Sequence, residues 1–365
     1  MKILFALPGL HRIDRGAEIA FISVAKELAR VGENVTLIGS GHARPDAPYN
    51  FIHSFSLSRE HFRSFPEFPL LRNECIYEEL TFVPGLLCRY QPHAYDVTLT
   101  CSYPFTNWLL RRPTLTGRRP PHVFITQNGD WPATSKKSEY RFFGCDGLVC
   151  TNPDYFERNR SRWNCALIPN GIDLDRFKVG PGQRQRLGLP ADRLVVLMVS
   201  ALIPSKRVDV GIKAMSQIPN AHLVVAGDGP LRPEIESLAK RYIPGRFTLV
   251  SIPAEEIPSL YRSADVFLHL SKEESFGNVF LEAMACGLPI VAHDSARLRW
   301  IVGDRHFLVD STDPVKLLTA IKEAAESPAE AKHEFTAKAA EFSWPKVGNL
   351  YHEFLKSIVA EHTRN

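Results

Sequence analysis

The chain has 365 residues, 44% hydrophobic and 23% charged, with a formal net charge of +4. Such a composition belongs to an ordinary folded protein and excludes disorder and fibrous structure, and the length exceeds what one hydrophobic core organises. No apolar run approaches the roughly 20 residues that span a bilayer, and the small basic excess leaves no nucleic-acid footprint.

Residues 1–165 hold 20 Lys and Arg against 16 Asp and Glu, and the remainder holds 24 of each. The excess in the first half reads either as attraction to an anionic partner or as chance. The opening MKILFALPGL lacks a small-residue cleavage pattern and reads as a first buried strand over residues 2–7. A helix is expected over 17–31 and a strand over 34–39. Residues 59–119 are richer in Pro, Phe and Arg, and only one helix, near 71–89, is readable there. Strands follow at 96–100, 122–126 and 148–150.

After Leu167-Ile168-Pro169, Asn170-Gly171 gives a turn, and the stretch to Pro190 has neither strand nor helix period. The second half alternates cleanly. Strands are expected at 194–200, 222–227, 247–250, 266–270 and 289–293, with helices at 207–217, 231–241, 255–263 and 278–286 between them. This alternation predicts an α/β chain of two Rossmann-like, doubly wound domains, 1–168 and 169–345, and a last helix near 346–361 packing back across the seam.

Seven cysteines, with no CxxC pair or zinc spacing, suit a reducing, cytoplasmic setting. Thirteen histidines without HExxH give no support for a protein-held metal. Asp173-Leu174-Asp175 invites a metal-binding reading, but its place in the turn at the seam fits a capping pair better. No GxGxxG opens a helix after a strand, which disfavours a dehydrogenase.

The most informative segment is Val266-Phe267-Leu268-His269-Leu270, an acidic loop Ser271-Lys272-Glu273-Glu274-Ser275-Phe276-Gly277, and a helix opened by Asn278 and closed by Gly287 and Pro289. The first N–H groups of that helix lack intrahelical partners and suit a phosphate. Asn278, Glu282 and Cys286 share a helix face, which sets Glu282 one turn inside the terminus, within reach of a ribose diol. Glu274 lies on the other side of the same position. Taken alone, Glu282 reads better as an acid favoured near a helix start and Glu274 as a solvated loop charge.

The whole segment resembles the Glu-x7-Glu signature of the retaining glycosyltransferases of family 4, which have the GT-B fold. The resemblance continues in order through Asp14-Arg15-Gly16-Ala17-Glu18, Ile168 to Phe177, Val199 to Arg207 and Ala226-Gly227-Asp228-Gly229-Pro230. It implies two Rossmann-like domains facing across a cleft, an acceptor-side first domain and a second domain that binds a nucleotide-sugar donor. Residue by residue, it implies Lys206 on the donor diphosphate, aided by Arg207 because Ala201 stands where many relatives have an arginine. Backbone contacts would come from Phe276, Gly277, Asn278 and Val279, with Glu282 on the ribose, Glu274 on the transferred sugar, and glycine loops at Gly16 and Gly227. Arg15 replaces the first glycine of the family's early loop. Gln127-Asn128-Gly129-Asp130-Trp131-Pro132 falls where relatives place a His-Asp pair facing the sugar; Asn128 and Asp130 are candidates there, with a plain Asn-Gly turn as the alternative.

The reaction so implied is transfer with retained configuration, without metal or other cofactor, from a nucleotide-diphosphate sugar to a saccharide, lipid-linked or small-molecule acceptor. A sugar-nucleotide epimerase and a non-catalytic sugar-nucleotide-binding module are the alternatives. Two segments mixing bulky apolar and basic residues, 61–72 and 108–112 continuing to Arg118 and Arg119, read either as peripheral contact with an anionic membrane or as packing within the first domain.

Overall fold

The structure, a computed structural model, describes residues 1–114, 119–130, 142–272, 274–304 and 306–364. Arg118, Trp131, Pro132 and Glu273 therefore lie outside the described residues. The chain divides into two compact units, Met1–Gly171 with Trp344–Asn365, and Ile172–Ser343. The division falls at 171/172 and 343/344, where the sequence reading puts it at 168/169 and 345/346.

The first unit is built on β1 (Lys2–Ala6), β2 (Asn34–Gly39), β3 (Asn50–His53), β4 (Val97–Thr100), β5 (His122–Ile125), β6 (Gly147–Cys150) and β7 (Cys165–Leu167). They form one sheet in the order β3-β2-β1-β4-β5-β6-β7, and all neighbours run parallel. The central strands β4, β5 and β6 are buried along their length because helices cover both faces of a parallel sheet. Ile3, Leu4, Phe5, Val97, Leu99 and Val123 are wholly buried, each contributing about 1.5–3 kcal/mol of apolar burial. The helices are α1 (Gly16–Arg30), α2 (Glu74–Arg89), α3 (Phe105–Leu110) and α4 (Pro153–Asn159). Asn73 caps α2 through its side chain to the Ile76 N–H at 3.1 Å, and Asn152 caps α4 through Tyr155 at 2.9 Å.

The second unit carries β8 (Leu194–Val199), β9 (Ala221–Ala226), β10 (Phe247–Val250), β11 (Val266–His269), β12 (Ile290–His293) and β13 (Phe307–Val309), in the order β10-β9-β8-β11-β12-β13. Its helices are α5 (Val208–Ser216), α6 (Arg232–Tyr242), α7 (Ile257–Arg262), α8 (Asn278–Ala285), α9 (Ala296–Val302), α10 (Pro314–Ala325) and α11 (Ala331–Ala340). In both units the strand order reverses beside the first strand, and the loops after the strand ends there are where doubly wound sheets take ligands. The last helix, α12 (Trp344–Arg364), belongs to the first unit. It packs on α1, burying Val347, Tyr351, Leu355 and Ile358.

Residues 61–72 and 108–112 differ in exposure. Phe65 and Phe68 are about half exposed, with Arg63 exposed between Phe62 and Phe65. In the other segment Leu109 and Leu110 are buried, Arg111 donates to Asn107 Oδ1 (3.3 Å) and the Phe142 carbonyl (3.2 Å), and Arg119 pairs with Asp146 at 2.6 Å. The second segment therefore packs within its own unit.

Candidate active site

Three loops at strand ends build the site of the second unit. The first leaves β8 and closes in a 3-10 turn, Pro204–Lys206. The second follows β9 at Gly227, where a Cβ would lie 1.9 Å from the Ser200 carbonyl oxygen, so only glycine lets the two loops touch. The third runs from Leu270 to Gly277. Gly277 has φ +89°, and a Cβ there would meet the Phe280 ring at 2.6 Å, which permits the abrupt start of α8.

These loops bring Lys206 and Glu274, 68 residues apart in sequence, into an ion pair between Nζ and Oε1. The same Oε1 receives His269 Nε2 at 2.9 Å. Burial works to raise the Glu274 carboxyl, but the hydrogen bond and charge of His269 and the Lys206 ammonium outweigh it and hold the group down at about 2. Glu274 is thus a fixed anion.

Glu282, one turn into α8, accepts a hydrogen bond from Tyr261 Oη at 2.8 Å on Oε2. Burial raises its carboxyl above the ordinary range against that hydrogen bond and the Arg176 charge. Phe276 turns inward against Trp300 and Phe342 and is 2% exposed, so only its backbone is available to a ligand. The N–H groups at Asn278 and Val279 open the helix.

Arg207 does not join Lys206. Its backbone is left-handed at φ +53°, and its guanidinium donates to Ser311 Oγ (2.6 Å), the Ser311 carbonyl (3.1 Å) and the Leu270 carbonyl (3.2 Å). It ties the Lys206 loop to the end of the sheet instead of lending charge beside Lys206.

In the first unit, Asp130 follows β5 and is 5% exposed, with its oxygens taken by Asn159 Nδ2 (2.8 Å) and Arg158 Nε (3.0 Å) of α4. Burial nevertheless raises its carboxyl above the usual value. Asn128 lies in the turn that Gly129 makes at φ +104°, its Nδ2 3.8 Å from Cys101 Sγ. Gly16 is the exposed first residue of α1. Asp173 Oδ1 accepts the N–H groups of Asp175 (3.0 Å) and Arg176 (3.1 Å), a capping turn. Among the described residues no group of three or more His, Cys, Asp or Glu is arranged to hold a metal ion.

Sequence reasoning passes over several of these groups. His269 stands inside the apolar run Val266–Leu270 and Tyr261 on the helix Ile257–Arg262, and both read as core; the available signal is a polar ring at the end of a strand five residues before Glu274. Around α1 the structure also gathers Arg12, Arg15 and Arg59 on the buried Glu78, Arg15 at 3.2 Å and Arg59 at 3.1 Å.

Residues 15–176 match the model described as Glycosyltransferase Family 4, and residues 181–342 match that of Glycosyl transferases group 1. The chain is 33% identical over 220 residues to a GDP-mannose-dependent alpha-(1-6)-phosphatidylinositol monomannoside mannosyltransferase of Mycolicibacterium smegmatis, covering 53% of this chain and 57% of that one. It spans about half the length of the first curated relatives it matches. It is also 27% identical to a D-inositol 3-phosphate glycosyltransferase of Thermobispora bispora, covering 94% of this chain and 91% of the relative. Among solved structures it is similar to a sucrose-phosphate synthase of Thermosynechococcus elongatus, with a TM-score of 0.79 and 23% identity over 99% of each chain. That likeness extends the GT-B fold over both units.

Proposed function

Because the chain belongs to glycosyltransferase family 4, whose group 1 half holds Lys206, Glu274 and Glu282, we propose that it is a hexosyltransferase using a nucleotide-diphosphate sugar. It transfers the sugar with retained configuration and needs no bound metal or other cofactor. The observation that carries this reading is the convergence of Lys206 and an ionised Glu274 before the N-terminus of α8.

The N–H groups from Phe276 to Val279 receive the diphosphate, and Lys206 stabilises the negative charge that grows on it as the glycosidic bond breaks. Glu282, held by Tyr261, accepts from the ribose hydroxyls. Glu274 accepts from hydroxyls of the transferred sugar and fixes its anomeric carbon. The acceptor hydroxyl attacks on the face from which the diphosphate leaves, so the protein's work is positioning and charge stabilisation. Asn128 and Asp130 stand where relatives place a pair facing the donor sugar, Asp130 acting through its hold on α4, and Gly16 permits close backbone approach to a phosphate or acceptor. Release of nucleotide diphosphate that depends on an added acceptor tests the reading; conversion of the donor into another nucleotide sugar without net release points to an epimerase, and donor binding without any turnover points to a binding module.

The acceptor is a saccharide, lipid-linked or small hydroxylated molecule. A lipid-linked acceptor at the inner face of a membrane is favoured by the exposed Phe65 and Phe68 beside Arg63. Aromatic rings enter the headgroup boundary while each nearby cation adds about 1 kcal/mol toward anionic lipid. Co-sedimentation with vesicles is expected to rise with anionic lipid, fall with salt and fall again when Arg63, Phe65 and Phe68 become alanine. Equal recovery in the supernatant with and without anionic vesicles at low salt removes the membrane contact and leaves a soluble acceptor.

A further inference from the structure

We propose that His269 is a positioning residue for Glu274, the anchor that keeps this carboxylate in place when Lys206 leaves it for the donor diphosphate. The inference rests on the functional reading above. Lys206 and His269 both reach Oε1 of Glu274. An ammonium drawn to phosphate oxygens divides its three N–H donors and its charge between them and the carboxylate and holds the latter less well, and Glu274 sits in the loop between β11 and α8 with no regular backbone pairing of its own. Among the described residues, His269 is the one other side chain on that carboxylate. Its contact on Oε1 leaves Oε2 free to accept sugar hydroxyls.

The histidine is built to stay. It is the last residue of β11, its backbone in register with Ala292 of β12, and it is 2% exposed. Its ring stands edge-on to Phe280 at 4.9 Å and lies 6.2 Å from Phe267. Walls of this kind favour one rotamer on the time average, so the direction of Nε2 is set by the sheet more than by the loop. Because Glu274 is an anion, Nε2 carries the proton and donates it.

Among the described residues, the titratable groups facing Glu274 are His269 from β11 and Lys206 from the 3-10 turn; Gly277 precedes α8, whose Phe280 ring packs on His269, and Arg207 turns away to Ser311. Removing the His269 donor leaves burial less opposed, and donor binding draws Lys206 away as well. The Glu274 carboxyl then rises from about 2 toward and past its ordinary value. A carboxylate held low loses its ionised form only as pH falls through that low value; raised, it is lost at a higher pH.

The test uses the full chain with saturating donor. His269→Phe keeps the ring volume without a donor and is expected to lower kcat about tenfold or more, the scale of a misplaced reacting group, with the donor KM unchanged. The acid limb of its kcat profile moves up by about one pH unit or more. His269→Gln, which restores an N–H donor, returns most of the rate and the original limb. A second arm needs no transfer: in protein labelled with 15N-histidine, His269 shows a protonated Nε2 whose signal shifts in Glu274→Gln. Unchanged kcat and acid limb in His269→Phe overturn the proposal, as does a His269 signal indifferent to Glu274→Gln. If the wild type transfers no sugar from any donor, the functional reading fails, while the labelled histidine still decides whether the anchor exists.

Discussion

Lys206→Ala is expected to lower turnover by about a hundredfold or more, the scale seen when a preorganised charge stabiliser is removed from a leaving group, near 2.7 kcal/mol. The loss belongs in kcat as well as in kcat/KM, because the phosphate charge Lys206 answers grows in the transition state. Lys206→Arg keeps part of the rate, since the charge survives on a bulkier fork. Arg207→Ala provides the internal control. Its guanidinium is committed to Ser311 and Leu270, so its removal loosens the loop and lowers thermal stability more than it lowers turnover. A normal rate in folded Lys206→Ala would make the lysine a partner of Glu274 and nothing more.

The two glutamates are expected to divide. Glu282→Ala removes the proposed acceptor for the ribose and takes Glu282 Oε2 from Tyr261 Oη, so donor affinity is expected to fall by about tenfold or more, the worth of a hydrogen bond to a charged group. Turnover at saturating donor changes less. Glu274→Ala is expected to show the reverse pattern, with donor still bound and kcat reduced, because the proposed contacts of Glu274 are with the sugar rather than the nucleotide. Calorimetric titration of each variant with nucleotide diphosphate, set beside its kcat, separates the two. Wild-type rates and affinities in both variants sink the assignment.

Much of this arrangement was readable from residues alone. Leu194–Val199 is an unbroken apolar run and Ala221–Ala226 is interrupted by His222 alone, as suits strands covered on both faces. The short edge strands Asn50–His53, Cys165–Leu167 and Phe307–Val309 were not readable, because three or four half-buried residues carry no period. The six-residue α3 begins at Phe105 with no side-chain cap to mark it. α12 begins two residues before the expected start because Pro345 fits its first turn, where no N–H is needed.

In the site, Lys206 and Glu274 were picked out by resemblance, but nothing in sequence says that one Nζ and one histidine share a single carboxylate oxygen. Arg207 looked like a second phosphate cation; its left-handed backbone, which directs it to Ser311, is a tertiary fact. Asp130 looked free to face a sugar, and only the fold brings Arg158 and Asn159 to its oxygens. Residues 108–112 looked basic and amphipathic, and packing under α2 absorbs them.

Acceptor-dependent turnover of a nucleotide-diphosphate sugar, followed by NMR of the anomeric proton of the product, tests the central claim most directly. A panel of donors is incubated with saccharide and lipid-linked acceptors. The account predicts one nucleotide diphosphate released per glycosidic bond formed, a product with the donor's anomeric configuration, an undiminished rate in chelator, and near-complete loss in Lys206→Ala. Release that ignores the acceptor, or a product of inverted configuration, would contradict it.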